Sequence, residues 1–386
     1  MPTMTAPNRT EGGPTQGGRA RGRWIWVLSG LATMAVLAIY GVHIITTAGA
    51  PGGGPQQEAA VPARAITITQ PVTSLNIESY GAPIVVTGGP VRHVQVTETI
   101  TFAAVNGLPA VTQSVSHGLL TLAAPDCENS PCNVGFTVTV PKDVAVTAQS
   151  DDGPLTVSGV AAANLDSGGG PARVSDISGQ LTVGTEDGPL VVSGVADANL
   201  DSGGGPVQVS DVRGPLTVNT ENGNLVVTGL TGPLDADTGG GALVARDIAA
   251  VTATISTEGG NADIAFTNAP ELVSVDSGGG TARVAFAAEP QSVSVTTEGG
   301  NALLTVPGGP YAVTAQSEGG PQYVDVSANP TARRSITVDS GGGLLSIQSG
   351  AGLGPPTSGK LPRQPKKLLA PVKLVKPGAP AKPAAP

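Results

Sequence analysis

Aromatic residues make up only 3% of this 386-residue chain, histidine occurs three times and cysteine twice. So few rings suit a narrow interior of small aliphatic side chains better than a thick globular core. So few histidines leave little material for general acid–base or nucleophilic catalysis. Glycine and proline are abundant instead, with 55 and 34 residues, which argues against ordinary globular domains.

A composition rich in glycine and proline is also typical of disordered chains, but the middle of this sequence is patterned. Val, Leu and Ile alternate with polar residues there, for example at 155–157, 181–183, 216–218 and 293–295. A disordered chain has no reason to maintain this alternation, so the pattern predicts short β-strands.

The strands belong to an internal repeat, whose clearest element is a Ser or Thr followed three positions later by Gly, as in Ser167-Gly-Gly-Gly170. The Ser or Thr stands at positions 150, 167, 185, 202, 220, 238, 257, 277, 297, 317 and 340. A short, nearly constant period predicts a solenoid, in which each coil is stabilised by its neighbours. We therefore predict an all-β protein, a parallel β-solenoid of roughly ten to eleven short rungs over residues 141–349. Each rung has two short strands and two Gly corners, and residues 65–140 form a β-rich N-terminal cap.

Acidic residues beside these turns alternate between two positions from one rung to the next. An Asp precedes the Ser or Thr at 166, 201, 237, 276 and 339, whereas an Asp or Glu follows it at 151, 186, 221, 258, 298 and 318. If the turns stack in one column, the alternation keeps like charges apart, and we prefer this structural interpretation. A ladder of calcium ions along the carboxylates is the alternative, although the glycine-rich signature of calcium-binding β-rolls is absent.

Charge is divided sharply along the chain. Four Arg and one Glu precede Trp24, nine basic and 27 acidic residues lie in 64–349, and seven basic residues without an acidic one lie in 350–386. The acidic body argues against nucleic-acid binding, which needs a basic face. Residues 350–386, with nine prolines, are predicted to form an extended, disordered tail. This tail either solubilises the protein or attaches it electrostatically to an anionic envelope polymer or lipid.

An apolar run of residues without formal charge extends from Trp24 to about residue 47 and is long enough to cross a membrane as one helix. Arg19, Arg21 and Arg23 directly before it keep the N-terminus in the cytoplasm. His43 then lies near the outer interface rather than acting inside the membrane. A cleaved signal peptide ending at residues 48–50 is the alternative, but such apolar regions are usually shorter.

This interpretation predicts a single-pass protein of the plasma membrane with an extracytoplasmic C-terminal body. It divides the N-terminal part into a disordered cytoplasmic tail at 1–23, a transmembrane helix at 24–47 and a linker at 48–64. A cytoplasmic tail this short cannot hold a folded output domain, so any signal would pass through a membrane or surface protein partner.

The two cysteines, Cys127 and Cys132, lie in a polar turn between two strand-like runs. Outside the cytoplasm a pair this close is expected to form a disulfide that pins the turn. The spacing also occurs in zinc sites, but no further Cys or His lies nearby to complete one.

Residues 138–146, Val-Thr-Val-Pro-Lys-Asp-Val-Ala-Val, and the Gly-centred repeat at 152–159 resemble the bacterial putative-adhesin family of unknown function. The resemblance covers about 70–349, and the triple-Gly turns are richer in glycine than is usual for it. It implies a parallel β-solenoid, membrane anchoring in many members, a link to envelope-stress signalling in some, and no catalytic residue.

Together these observations predict a non-enzymatic adhesion, scaffold or envelope-sensing module with no catalytic, cofactor-binding or metal-binding residue. The alternative is an enzyme acting on a cell-surface polysaccharide from a β-helix scaffold. Such a site needs paired carboxylates across a groove built by long loops, or a cluster of basic residues. Here the loops are minimal, the basic residues are scattered singly, at Arg173, Arg213, Arg246 and Arg283, and His93 and His117 lie outside the repeats.

Overall fold

The structure is a computed structural model that describes residues 58–103, 108–125 and 132–350. The predicted transmembrane helix at 24–47, Cys127 and the tail from residue 351 onward lie outside the described residues, and these predictions stay open. Within the described ranges no helix is long and apolar enough to cross a membrane.

The described residues form 29 strands. In chain order these are β1 (Glu58–Ile68), β2 (Ser74–Ser79), β3 (Ile84–Gly89), β4 (Val94–Ala103), β5 (Thr112–Ser116), β6 (Leu119–Ala123), β7 (Cys132–Pro141), β8 (Ala145–Ser150), β9 (Leu155–Ser158), β10 (Ala162–Ser167), β11 (Ala172–Ser175), β12 (Gln180–Thr185), β13 (Leu190–Ser193), β14 (Asp197–Ser202), β15 (Val207–Val212), β16 (Leu216–Thr220), β17 (Leu225–Leu230), β18 (Leu234–Asp237), β19 (Leu243–Ile248), β20 (Thr252–Ser256), β21 (Ala262–Phe266), β22 (Leu272–Asp276), β23 (Ala282–Phe286), β24 (Ser292–Thr296), β25 (Ala302–Val306), β26 (Ala312–Gln316), β27 (Gln322–Asp325), β28 (Ser335–Asp339) and β29 (Leu345–Ser349).

The strands build two sheets that face each other across one thin core. From β8 onward the even-numbered strands lie in a 14-stranded sheet, sheet B, and the odd-numbered strands in a 15-stranded sheet, sheet A. Neighbours within each repeat sheet pair in parallel, for example β10 with β12 and β11 with β13. One coil therefore consists of one strand from each sheet, and the predicted all-β parallel solenoid is confirmed, with about ten coils.

Alternation of side chains along each strand creates the core. In β14 the burial alternates residue by residue, so Ala198 and Leu200 point inward while Asn199 and Asp201 face solvent. Short aliphatic side chains from both sheets meet across the interior. This is expected for two parallel sheets in which each coil advances by one strand spacing along the stack. Among the few rings, Phe266 and Phe286 stack on successive coils with their centroids 5.0 Å apart.

The order of coils in space departs from chain order at both ends. At the N-terminal end, the β6–β7 coil lies outside the earlier β2–β3 coil, which pairs directly with β8 and β9. At the C-terminal end, β28 and β29 lie between the β24–β25 coil and the β26–β27 coil. In both places a coil is held between partners that are distant in sequence, which ties the terminal coils to the stack.

The N-terminal region differs in detail from the sequence-based division. Residues 65–140 contribute two coils of the solenoid, together with the antiparallel strands β4 and β5. The first strand begins at Glu58, inside the segment expected to be a linker, because it pairs antiparallel with β4. The coils of residues 141–349 also do not stack strictly in chain order, because the last coil, β28–β29, lies between two earlier ones.

Candidate interaction face

The recurring turn is held by a buried hydroxyl at the end of most of the repeat strands in sheet B. The Oγ of Ser167 donates to the carbonyl oxygen of Gly170 at 3.1 Å, and the Oγ1 of Thr220 donates to that of Gly223 at 2.9 Å. The same bond recurs from residues 150, 202, 238, 257, 277, 297 and 340. Thr185 is an exception, because its buried Oγ1 has no hydrogen-bond partner.

The glycine that ends this turn is required by contact between coils. A Cβ on Gly188 would lie 2.1 Å from the carbonyl oxygen of Gly170, and one on Gly205 would lie 2.1 Å from that of Gly188. Neither Gly188 nor Gly205 has a positive φ. In this column a glycine is therefore needed because the preceding coil leaves no room for a side chain, and not because the backbone is left-handed.

Strand register shows how the alternating acids are arranged on the outside of these turns. Asp166 pairs with Gly184, which in turn pairs with Asp201 on the next coil. Farther along the sheet, Asn219, Ser256 and Thr296 separate the acids in the same way. Acids in one column are therefore two strands apart, about 9.6 Å at the usual strand spacing.

The acids that follow the turn occupy the coils skipped by the first column. We call the two columns together the staggered carboxylates: Asp166, Glu186, Asp201, Glu221, Asp237, Glu258, Asp276, Glu298, Glu318 and Asp339. Three of the preceding acids, those at 237, 276 and 339, accept a hydrogen bond from the backbone N–H two residues on, at 3.1 to 3.2 Å. The ion pairs between described residues involve none of this set. The predicted separation of like charges is thus visible in the register.

A second column runs beside the staggered carboxylates on the outer face of sheet B. It consists of small polar side chains, each three positions before the turn Ser or Thr, and we call it the polar column. Its members are Thr147, Asn164, Thr182, Asn199, Thr217, Asp235, Thr254, Ser274, Ser294, Thr337 and Thr314. Sequence reasoning missed it, although the fixed offset from the turn was a usable signal. Sheet B therefore presents a row of hydroxyls and amides about 4.8 Å apart, interrupted by the carboxylate of Asp235, next to a row of carboxylates.

The opposite corner of each coil, where sheet A strands end, also alternates. Left-handed residues stack there with φ of 69° at Gly159, 56° at Asp176, 65° at Gly194, 56° at Asp211, 70° at Gly229 and 55° at Asp247. A Cβ on Gly194 would lie 3.1 Å from Oδ1 of Asp176 and one on Gly229 would lie 3.0 Å from Oδ1 of Asp211, so these two glycines lie against the preceding carboxylate. Asp tolerates this backbone conformation better than most residues. Glycine and aspartate therefore alternate from coil to coil at this corner.

One carboxylate is buried at the N-terminal end. Glu98 on β4 is 2% exposed, its Oε2 has no hydrogen-bond partner, and the nearest cation is Nη1 of Arg64 at 3.9 Å. Burial raises the pKa of Glu98, and the Arg64 guanidinium acts against this rise. This group lies away from the staggered carboxylates and affects the stability of the N-terminal end.

The structure does not bring the other residues singled out in the sequence into one site. His117 lies in the exposed β5–β6 turn with its Nδ1 2.9 Å from the Oγ of its neighbour Ser116. Arg173 and Arg283 are exposed on sheet A, and Arg246 pairs with Asp263 at 3.2 Å. Cys132 begins β7, but Cys127 lies outside the described residues, so the disulfide stays a prediction.

In the ranges that the structure describes, no cluster of ligands supports calcium binding by the acidic turns. No group of three or more His, Cys, Asp or Glu residues there is arranged to hold a metal ion. The stagger that separates the charges also keeps neighbouring carboxylates from converging on one ion.

No protein-family model matches this sequence, and no curated protein does. Solved structures with similarity to the chain include proteins described as putative adhesins. One from Parabacteroides distasonis is 12% identical, with a match that covers 74% of this chain and 97% of the other chain and a TM-score of 0.28. Another, from Bacteroides fragilis, is 14% identical, with a match that covers 75% of this chain and 97% of the other chain and a TM-score of 0.25.

A protein from Parabacteroides distasonis described as a putative lipid binding protein is also similar. It is 8% identical, with coverage of 74% of this chain and 96% of its own and a TM-score of 0.29. Proteins described as putative adhesins, the family that the sequence resembles, are thus among these structural neighbours. The solenoid fold itself is established by the strand pairing within this chain.

Proposed function

We propose that this protein is a single-pass, membrane-anchored β-solenoid that acts outside the cytoplasm as a non-enzymatic adhesion, scaffold or envelope-sensing module. The observation that carries the proposal is the outer face of sheet B. There the polar column continues in register from Thr147 to Thr314, along a sheet whose strands all run parallel in this part. A long, regular row of small polar side chains suits an extended partner, whereas small-molecule sites are concave and enclosed.

The short corners support the same conclusion. Between β14 and β15 only residues 203–206 intervene, and between β15 and β16 only 213–215. Corners of this length build no loop that could fold over a substrate and exclude water, which enzyme sites commonly need. The partner that fits the sheet face is therefore a repeating surface polymer with polar groups, while the basic segment 351–386 would contact an anionic polymer or lipid surface.

The membrane anchor is supported by the uncharged run at 24–47 and the arginines before it. Protease added to intact cells that produce the full chain tests it. We expect the solenoid to be digested from outside while an epitope placed before Arg9 survives until the cells are lysed. Loss of both epitope and solenoid on intact cells, or protection of both, would contradict the proposed topology.

The binding face can be tested with the full chain in neutral detergent against isolated cell wall, anionic polymer and vesicles with anionic lipid. Asn199→Lys with Thr217→Lys changes the sheet B face, and Gln208→Lys with Val226→Lys makes the same charge change on the sheet A face of the same coils. Because all four side chains are exposed, both variants should fold. We expect only the sheet B pair to change binding of the retained ligand. Equal effects from both pairs would argue against a specific face.

A further inference from the structure

We propose that the basic C-terminal segment, residues 351–386, docks in an extended conformation along the staggered carboxylates of its own solenoid. This inference goes beyond the proposed function and does not depend on it, because it concerns two parts of one chain. The face in question is the edge of sheet B at the Ser/Thr turns, where ten coils from β10 to β26 each carry one carboxylate of the set.

The spacing of the carboxylates is the first argument. Within the column that precedes the turn, Asp166, Asp201 and Asp237 lie on every second strand. This separation is about 9.6 Å, twice the strand spacing. The column that follows the turn repeats at the same interval on the coils between, as Glu186, Glu221 and Glu258 do. A ligand that matches this face must present cations at an interval near 10 Å.

The sequence of the tail meets this requirement. Lys360, Arg363 and Lys366 are each three residues apart, and so are Lys373 and Lys376. Nine prolines favour the polyproline II conformation, which has three residues per turn and a rise of about 3.1 Å, so residues three apart share a face about 9.3 Å apart. Within each of these two runs, the cations of the tail therefore repeat at nearly the same distance as the acids of the sheet.

Charge and hydrogen bonding also agree. The tail has seven basic residues and no acidic one, and none of the staggered carboxylates forms an ion pair with a described residue. A polyproline II backbone forms no internal hydrogen bonds, so its amide and carbonyl groups need outside partners. Where a strand carries a preceding acid, the polar column lies two residues away, about 6.6 Å, and it offers hydroxyls and amides on every strand except that of Asp235.

The length of the chain allows the contact within one molecule. Described structure ends at Gly350, just after β29, which pairs with the terminal strand β27. The turns of sheet B lie at the other edge of the coil, about 17 Å away for a five-residue strand. Residues 351–359 can span up to about 30 Å, which is enough to reach them. From β10 to β26 the face is about 43 Å long, and residues 360–376 extend about 50 Å as polyproline II.

A docked tail would compete with outside partners for the acidic face of its own solenoid. While the tail is bound, its lysines are not available to an anionic polymer or lipid surface, and the staggered carboxylates are not available to a cationic partner. A strong external polyanion would release the tail and expose both surfaces together. Because exposed ion pairs are screened by salt, the docked state should weaken as ionic strength rises.

Trypsin cleavage of the tail in the full chain, in neutral detergent, tests the proposal, because docked lysines are cleaved more slowly. Glu221→Gln, Glu258→Gln and Glu298→Gln together remove three staggered carboxylates. Asp176→Asn, Asp211→Asn and Asp247→Asn remove three at the opposite corner, where Asn also tolerates positive φ. We expect the glutamine variant to be cleaved about tenfold faster than the unmodified chain at low salt, a loss of about three weak ion pairs, and the asparagine variant to match the unmodified chain.

Three results would overturn the proposal. Equal cleavage of both variants and the unmodified chain means that the tail does not contact the staggered carboxylates. Equal acceleration of both variants means that only the net charge of the body matters. Protection that disappears on dilution at constant salt means that the tail of one copy lies on another copy. Circular dichroism of each variant identifies any change that comes from unfolding of the solenoid.

Discussion

The carbonyl oxygen of Gly280 lies where a side chain on Gly300 would begin, since a Cβ there would be 1.7 Å from that oxygen. The neighbouring residue Gly299 faces open space, because a Cβ added to it would have no atom within 4 Å, and its φ is not positive. The two adjacent glycines therefore have different reasons to be glycine. The stacking of coils requires Gly300, and nothing in the surrounding structure requires Gly299.

Gly300→Ala should lower the free energy of unfolding by at least about 2 kcal/mol, because the added methyl group pushes two coils apart. Gly299→Ala, one residue away, should change it by less than about 1 kcal/mol, since the methyl group meets no atom and only restricts the unfolded chain. Urea unfolding followed by circular dichroism compares them. Similar values for the two variants would contradict the contact between coils as the reason for the glycine column.

Thr220→Val should destabilise the protein by about 1–3 kcal/mol, because the carbonyl oxygen of Gly223 loses its buried donor. Thr185→Val, at the same place in another coil, should be neutral or stabilising, since its hydroxyl has no partner to lose. The change is isosteric at both positions. Thermal unfolding of the two variants decides the question, and a larger loss for Thr185→Val would show that its hydroxyl is bonded after all.

Glu98 should make the N-terminal end less stable as pH rises. Burial raises the pKa of Glu98 in the folded state above its unfolded value, so the folded state binds the proton more tightly. The stabilisation that comes from this proton is fully present below the unfolded pKa and is lost as pH rises through the folded pKa. Glu98→Gln should remove this part of the pH dependence, and Glu271→Gln, at an exposed position, should not. Unfolding midpoints measured from acid to neutral pH compare the variants, and identical profiles would contradict the assignment.

Gly229→Asp should test the alternation at the left-handed corner by placing a carboxylate between Asp211 and Asp247. Gly229→Asn adds nearly the same volume to the same backbone conformation without charge, so the difference between the variants isolates the electrostatic cost. We expect the Asp variant to be less stable by about 1 kcal/mol at low ionic strength, with a smaller gap at high salt. A gap that does not respond to salt would mean that packing, not charge, explains the alternating glycine.

Much of the architecture could be predicted because it is local and repeated. The alternation at 216–218 indicates a strand in any context, and the turn from Thr220 to Gly223 recurs often enough to define one coil. The candidate face was harder to find. Asn199 and Thr217 look like ordinary exposed strand residues until the register places them side by side on neighbouring strands.

The amino-acid sequence by itself determined the period, the recurring turn and the division of charge between body and tail, because these depend on the order of residues along the chain. Only the tertiary structure decided that there are two sheets, that the coils exchange order at both ends, and why the last turn glycine is needed. These features depend on which strands become neighbours, as when β28 inserts between β24 and β26. Pairing between distant strands is set by burial and backbone hydrogen bonds across the whole stack, which a single repeat does not encode.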